Sequence, residues 1–437
     1  MKYYLPIVVT FTVTAIFFVR ADSERPVVKQ PRATSGDTAV EPDWTQKLTI
    51  TVGSQEADLV GTTDRVIQAG VDYVARLGGG TVKILPGTYR LRNSIFLQSN
   101  VRLLGAGSET ILFKEPSAIT KLAVDSDWYD QEITLTDAEA FKVGDGVTLR
   151  ARGDGKSYET YTKRTLVARI GKRFKLDRPL RDNFWRMGHA IVMSVFPLIT
   201  GENIADASVE NMTLDGNRDK NDNLNGNYGG CLFFQDCNRL TFRGVVARNY
   251  NGDGISWQIC HDVIVENCTA ENNTQLGLHP GSGSQRPVIR NNKLKNNDIG
   301  IFFCWGVKYG LAHNNTIEGN RLGISIGHRD TDNLVTRNEI RNSKEAGILF
   351  RPERGKDFAG HRNRINNNKL IDNGGTAGAA IEIQGGTESI TIENNEFKES
   401  RGVENRVGVR IGMHTREVTL KNNTFTGFAK QSEPGKK

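Results

Sequence analysis

Three segments concentrate side chains that bind and activate charged, ring-shaped ligands: Cys304-Trp305-Gly-Val-Lys308-Tyr309, Gly327-His328-Arg329-Asp330-Thr-Asp332 and Arg351-Pro-Glu353-Arg354-Gly-Lys356. Upstream stand His279-Pro-Gly-Ser-Gly and Asn251-Gly-Asp253-Gly. Aromatic faces such as Trp305 and Tyr309 stack on rings, and guanidinium forks match carboxylate or sulfate bidentately. Imidazole, carboxylate and amine groups transfer protons once their surroundings tune them. Brought together, the five segments would line one groove with aromatic, basic, imidazole and carboxylate groups.

Such a groove requires the chain to stack on itself, and the spacing indicates that it does. Gly-apolar-x-apolar recurs at Gly230, Gly254, Gly277, Gly300, Gly323 and Gly347, then as Ala380-Ile-Glu-Ile and Gly408-Val-Arg-Ile. The first six glycines are 24, 23, 23, 23 and 24 residues apart. A period of that length is one turn of a β-solenoid, because a single turn cannot bury its own apolar face. Longer steps of 33 and 28 after Gly347 imply loops leaving the stack. A second motif, apolar-x-Asn-Asn-x-apolar, repeats its second asparagine at Asn292, Asn315, Asn338, Asn368, Asn395 and Asn423. Stacked amides would bond to one another along a ladder at a tight turn. The periodicity argues against surface glycosylation sites.

On this alignment the first residue after each glycine points inward and the second outward. The outward column is Leu232, Ser256, His279, Phe302, Ser325, Leu349, Glu382 and Arg410. Asp253 occupies a position that other coils fill with Leu276, Ile299, Leu322 and Ala346, so an acid there breaks the pattern. It reads either as a turn residue or as a carboxylate among apolar neighbours. Asp330 and Asp332 are expected to orient Arg329. Catalytic candidates are Asp253, His279, Lys308, His328, Arg329 and Arg351; ligand-binding candidates are Gln258, Trp305, Tyr309, Asp330, Glu353 and Arg354.

Around the repeats the chain is organised in blocks. Residues 1–21 read as a signal peptide, with Lys2, an apolar run from Leu5 to Val19 and a small-residue site before Asp22. Export to the periplasm or beyond follows, with no membrane anchor after cleavage. Residues 22–46 read as a linker. In 47–115, Val66, Ile67, Val71, Val74 and Leu77 lie at helical spacing between Thr62 and Leu77, and Gly78-Gly79-Gly80 ends the helix. Residues 116–195 are strand-like but lack the coil period, which marks an inserted β subdomain. The repeats fill 196–429, and 430–437 read as a disordered tail.

The formal charge of +7 falls to +5 without Lys2 and Arg20. A mild, dispersed positive excess suits an acidic glycan and argues against nucleic acid. Five cysteines leave at least one free, and Cys237 and Cys260 align one coil apart, where a disulfide is open. No CxxC pair points to zinc. Asp215-Gly-Asn217-Arg-Asp219-Lys-Asn221 alternates oxygen ligands but lacks the glycine and distal glutamate of an EF-hand, so calcium stays optional.

The stretch Gly78-Gly-Gly-Thr-Val-Lys-Ile-Leu-Pro-Gly-Thr-Tyr-Arg-Leu, followed by Asn100-Val-Arg-Leu-Leu-Gly-Ala-Gly, resembles the opening of pectate-lyase-like right-handed parallel β-helices. The resemblance implies an all-β solenoid capped by an amphipathic helix, a scaffold shared by pectate lyases, polygalacturonases and mannuronan epimerases. Gly252-Asp253-Gly254-Ile255 and Gly277-Leu278-His279 echo polygalacturonase elements, with one Asp in place of a pair and no following Arg-Ile-Lys. Leu276-Gly-Leu-His279-Pro-Gly281 shares the frame of an epimerase motif, with His279 at its acid and Gly281 at its histidine. The resemblance therefore implies an enzyme acting on an acidic polysaccharide, with β-elimination as the leading expectation and hydrolysis, epimerisation or glycan binding as alternatives. In that scheme Arg329 and Arg351 neutralise a carboxylate, Lys308, His328 or Tyr309 serves as base, and His279 donates a proton.

Overall fold

The computed structural model describes residues 45–152, 158–355, 357–402 and 406–434. The expected signal peptide and the expected linker up to residue 44 lie outside the described residues. Among those described, no helix is long and apolar enough to cross a membrane.

Eleven strands, from Ile95–Phe96 to Lys430–Pro434, stack in one parallel sheet, one strand per coil. The remaining coil strands form a 22-stranded sheet. Ala205–Asp215 shows how that sheet spans two faces: Ser208–Glu210 pair with Arg102–Leu104, and Thr213–Asp215 pair with Ile111–Phe113. Later coils divide the same length into two three-residue strands, such as Ile264–Glu266 and Thr269–Glu271.

Apolar periodicity becomes core through register. Ile255, Leu278, Ile301, Ile324 and Ile348 are successive partners and all are fully buried. The glycine before each has a steric cause. A Cβ on Gly277 would lie 2.7 Å from the Gly300 carbonyl oxygen, and one on Gly300 would lie 2.6 Å from that of Gly323. The next coil's backbone occupies the space a side chain would need.

The asparagine ladder forms as expected. Asn292, Asn315, Asn338, Asn368 and Asn395 each donate from Nδ2 to the Oδ1 of the next, at 2.8–3.0 Å, ending on Asn423. Each also donates to a backbone carbonyl, so the buried amides are satisfied. The residue before each rung is left-handed, for example Asn291 at φ 57° and Asn314 at φ 55°. A second ladder, Asn273 to Asn297 to Asn320, was not anticipated.

The helix Asp64–Arg76 buries Ile67, Val71 and Val74, and Gly70 fits against Ile50, Val52 and Val82. Leu77 lies beyond it and is exposed. Within 116–195 the chain leaves the coils as a six-stranded sheet with antiparallel pairing and a separate core that includes Leu135, Phe141, Phe174 and Phe184.

Two expectations are corrected and one open question is answered. Residues 430–434 are not a loose tail but a strand paired with Val407–Ile411. All five cysteines are buried free thiols, so Cys237 and Cys260 lie inside the coils as expected and the disulfide left open between them is not formed. The register slips by one at the first repeat: Leu232 pairs with Ile255 and Phe233 with Ser256. A one-residue slip exchanges the faces, so Phe233, not Leu232, stands in the outward column.

Candidate active site

The corrected column runs Thr200, Phe233, Ser256, His279 along successive strands. It points away from the coil interior yet is buried at Ser256 and His279, because another part of the chain covers it. Ile199 pairs with Leu232 thirty-three residues later, whereas Leu232 pairs with Ile255 twenty-three later. The ten extra residues belong to a strap before Gly230, anchored by Leu224, which is fully buried. Gly226 of this strap accepts a hydrogen bond from Ser256 Oγ at 3.0 Å, and its amide donates to Gln275 Oε1 at 3.3 Å. A Cβ there would collide with the Asp253 carboxylate, so only glycine lets the strap close this tightly.

Under the strap, Asp253 Oδ2 lies 2.7 Å from His279 Nδ1. The two residues are 0% and 2% exposed, and Asp253 Oδ1 accepts the Leu276 amide at 3.1 Å. Hydrogen bonding fixes the tautomer. Ser256 spends its one proton on Gly226, so toward His279 Nδ1, at 3.3 Å, it can only accept. Both neighbours of Nδ1 are acceptors, which places the proton on Nδ1 and leaves a lone pair on Nε2. That Nε2 is buried without a hydrogen-bond partner.

His279 lines an open pocket of about 700 Å³ together with Asn225, Asn227, Asp298, Phe302, Trp305 and Arg354. Phe302 meets the imidazole edge-on, with centroids 5.4 Å apart. Trp305 is 40% exposed, and the Arg354 guanidinium lies 5.6 Å from its ring centroid. The pocket thus offers an aromatic face and a cation beside an oriented imidazole. The carboxylate that lines it, Asp298, is held by Arg321 at 2.6 and 2.9 Å. Burial pushes the Cys304 thiol up to about 12, which removes it as a thiolate nucleophile.

The remaining candidates disperse. His328 packs against Trp305 at 5.3 Å, and burial with the nearby Arg351 and Arg354 cations lowers its imidazole to about 4. Arg329 is not oriented by acids: its guanidinium lies 3.7 Å from the Phe358 ring centroid, while Asp330 pairs with Arg351 and Asp332 with Arg362. Arg351 sits over Phe302 and bonds to Ser325 Oγ, Phe303 O and Asp330. Lys308 belongs to a corner column between Gln285 and Thr331. Tyr309 is exposed beside Lys308, outside the residues that line the pocket. Glu353 bonds to the Gly386 amide, and Gln258 Oε1 accepts from the Ser282 amide at 2.8 Å. Asp215 of the calcium-like segment bonds to Arg248, Asn249 and the Asn217 amide. Among the described residues, no three His, Cys, Asp or Glu side chains cluster as metal ligands. Asn225, Gly226, Asn227, Gln275 and Asp298 were missed; the signal for the strap was the extra length before Gly230.

The family described as right handed beta helix region matches residues 229–397 and 304–425. The chain is a right-handed parallel β-helix protein. No curated protein sequence matches it. The β-helix is similar to the A-module of the Azotobacter vinelandii mannuronan C-5 epimerase AlgE4, at 16% identity and a TM-score of 0.54, covering 87% of this chain and 97% of that one. It is also similar to the Yersinia enterocolitica family 28 exopolygalacturonase, at 12% identity and TM-score 0.54, over 89% and 78% of the two chains. The hyperthermoactive exopolygalacturonase of Thermotoga maritima gives 12% and 0.50, over 87% and 93%. At these identities the likeness is one of fold.

Proposed function

We propose that this β-helix is an exported carbohydrate-active enzyme that cleaves an acidic polysaccharide by β-elimination, with His279 as the base. One observation carries the reading: a sealed Asp253–His279 pair leaves Nε2 unpartnered beside a pocket that also holds Trp305 and Arg354. Nε2 takes the C5 proton of a uronate, the C5 electron pair forms the C4–C5 double bond, and the C4–O4 bond breaks. The leaving oxygen takes a proton from His279 or water. Arg354 faces the substrate carboxylate and lowers the cost of the C5 carbanion; Trp305 supplies a stacking face. Inverting hydrolysis would need a second available carboxylate, and Asp298 is already held by Arg321.

The test is ultraviolet absorbance of the conjugated product over pectate, alginate, glucuronan and sulfated glycans, with and without calcium. A rise on one polymer is the expected result. New reducing ends without absorbance would replace elimination by hydrolysis, and neither signal would remove the activity for these substrates.

A further inference from the structure

A second cavity, of about 330 Å³, lies where the inserted sheet meets the coils. It shares no lining residue with the His279 pocket. Thr200, which lines it, stands in the same register column as His279, three coils away. That is roughly 14 Å at the ordinary strand spacing. Phe233 stands in the column between them. Lys163 Nζ sits 4.0 Å from the Phe233 ring centroid, and Tyr161 of the inserted sheet stacks on Tyr228 of the strap at 4.7 Å.

The cavity is lined by unspent polar groups and apolar walls. Thr200 Oγ1 is buried without a hydrogen-bond partner. The charged residues lining it are Lys163, Arg164 and Arg178 against Asp177 and Glu202, so one cation is in excess. Arg164 is committed to the carbonyls of Pro179 and Leu180, and Arg178 reaches both Asp177 and Glu202. Arg164 and Lys163 are thus the two lining cations without a carboxylate in contact; Lys163 lies on the Phe233 face and feels Glu202 only electrostatically. Phe96, Leu97, Phe196 and Ile204 supply the apolar wall. A half-buried cation with no carboxylate in contact and a buried hydroxyl without a hydrogen bond are costly, and a ligand that satisfies both recovers that cost.

We propose that this cavity is a second ligand site, taking one hydroxylated ring that bears a single carboxylate. Lys163 pairs with the carboxylate, Thr200 bonds to a ring hydroxyl, and the ring's apolar face lies on the phenylalanines. The volume suits one sugar-sized ring, supplied either as a free uronic acid or as the terminal residue of an acidic chain. The site is independent of the His279 chemistry. Burial lowers the Lys163 ammonium to about 8, so the cation is present at neutral pH and affinity falls as the pH rises above that value.

Titration calorimetry of the full chain with glucuronate, galacturonate and mannuronate tests this, with glucose as the neutral control. A Lys163-dependent uronate site is expected, separate from any uronate held in the Arg354 pocket, weakened at least tenfold by Lys163→Met and several-fold by Thr200→Val, and unchanged by His279→Gln. Circular dichroism confirms that the variants are folded. A tetra-uronate that binds more tightly with the same Lys163 dependence assigns the site to chain ends; equal binding assigns it to the free acid. No heat with any uronate, equal binding of glucose, or full affinity in folded Lys163→Met overturns the proposal. Loss of the signal in His279→Gln also overturns it, by placing the ligand in the other pocket.

Discussion

Two buried acid–base pairs lie along one stack of coils, separated by the coil of Ile299–Phe302, and they do opposite things. Asp330 accepts the amides of Gly306, Val307 and Gly327, each at 2.9 Å, and the Arg351 guanidinium at 3.2 Å. Arg351 is further bonded to Ser325 and Phe303. Every strong valence of Asp330 is used, and the pair ties three coil turns together. Asp253 and His279 are just as buried, but one nitrogen of the imidazole is left over at a pocket wall. Both pairs centre on a buried aspartate; what differs is whether a proton-accepting atom is left without a partner in a residue that lines a pocket.

That contrast can be broken by mutation. The largest expected effect is on His279→Gln, which should lower turnover by about 10³-fold, within the range of general-base catalysis, while the denaturation midpoint stays near wild type. A comparable loss of stability would instead make the Asp253–His279 pair structural. Asp330→Ala should do the reverse. It strands the Arg351 cation and three amides, costing about 3–5 kcal/mol, readable as a shift of the urea midpoint with unchanged slope. Protein that remains folded should keep its turnover. Trp305→Ala is the mildest: it removes a stacking face, so KM should rise roughly tenfold with kcat little altered. A fall in kcat with KM unchanged would place Trp305 at the transition state instead.

Much of the scaffold was legible because solenoids repeat. The spacing of Gly254 to Gly347 and the asparagine run to Asn423 report stacking directly, since each position meets its own counterpart one coil on. Register failed at Leu232, where the strap lengthens the coil and the Gly-apolar motif no longer marks the same pleat. At the site, Asp253 was found as a departure from the repeat and His279 as a member of the outward column, but their contact was not, because it depends on a side chain reaching across one strand spacing. Lys308, Tyr309 and Glu353 were misplaced for a related reason. Proximity in sequence after a strand does not fix direction once the backbone turns left-handed, as it does at Trp305, Tyr309, His328 and Arg329. The strap is non-repetitive, and nothing in the period announces what it covers.

The central claim is that His279 Nε2 removes the C5 proton. The direct measurement is proton NMR of the polysaccharide product formed in heavy water. The account predicts that the C5 proton is lost from the processed residue, with a C4–C5 double bond in its place, and that His279→Gln abolishes the change. Chain cleavage with the C5 proton intact on every residue would contradict it.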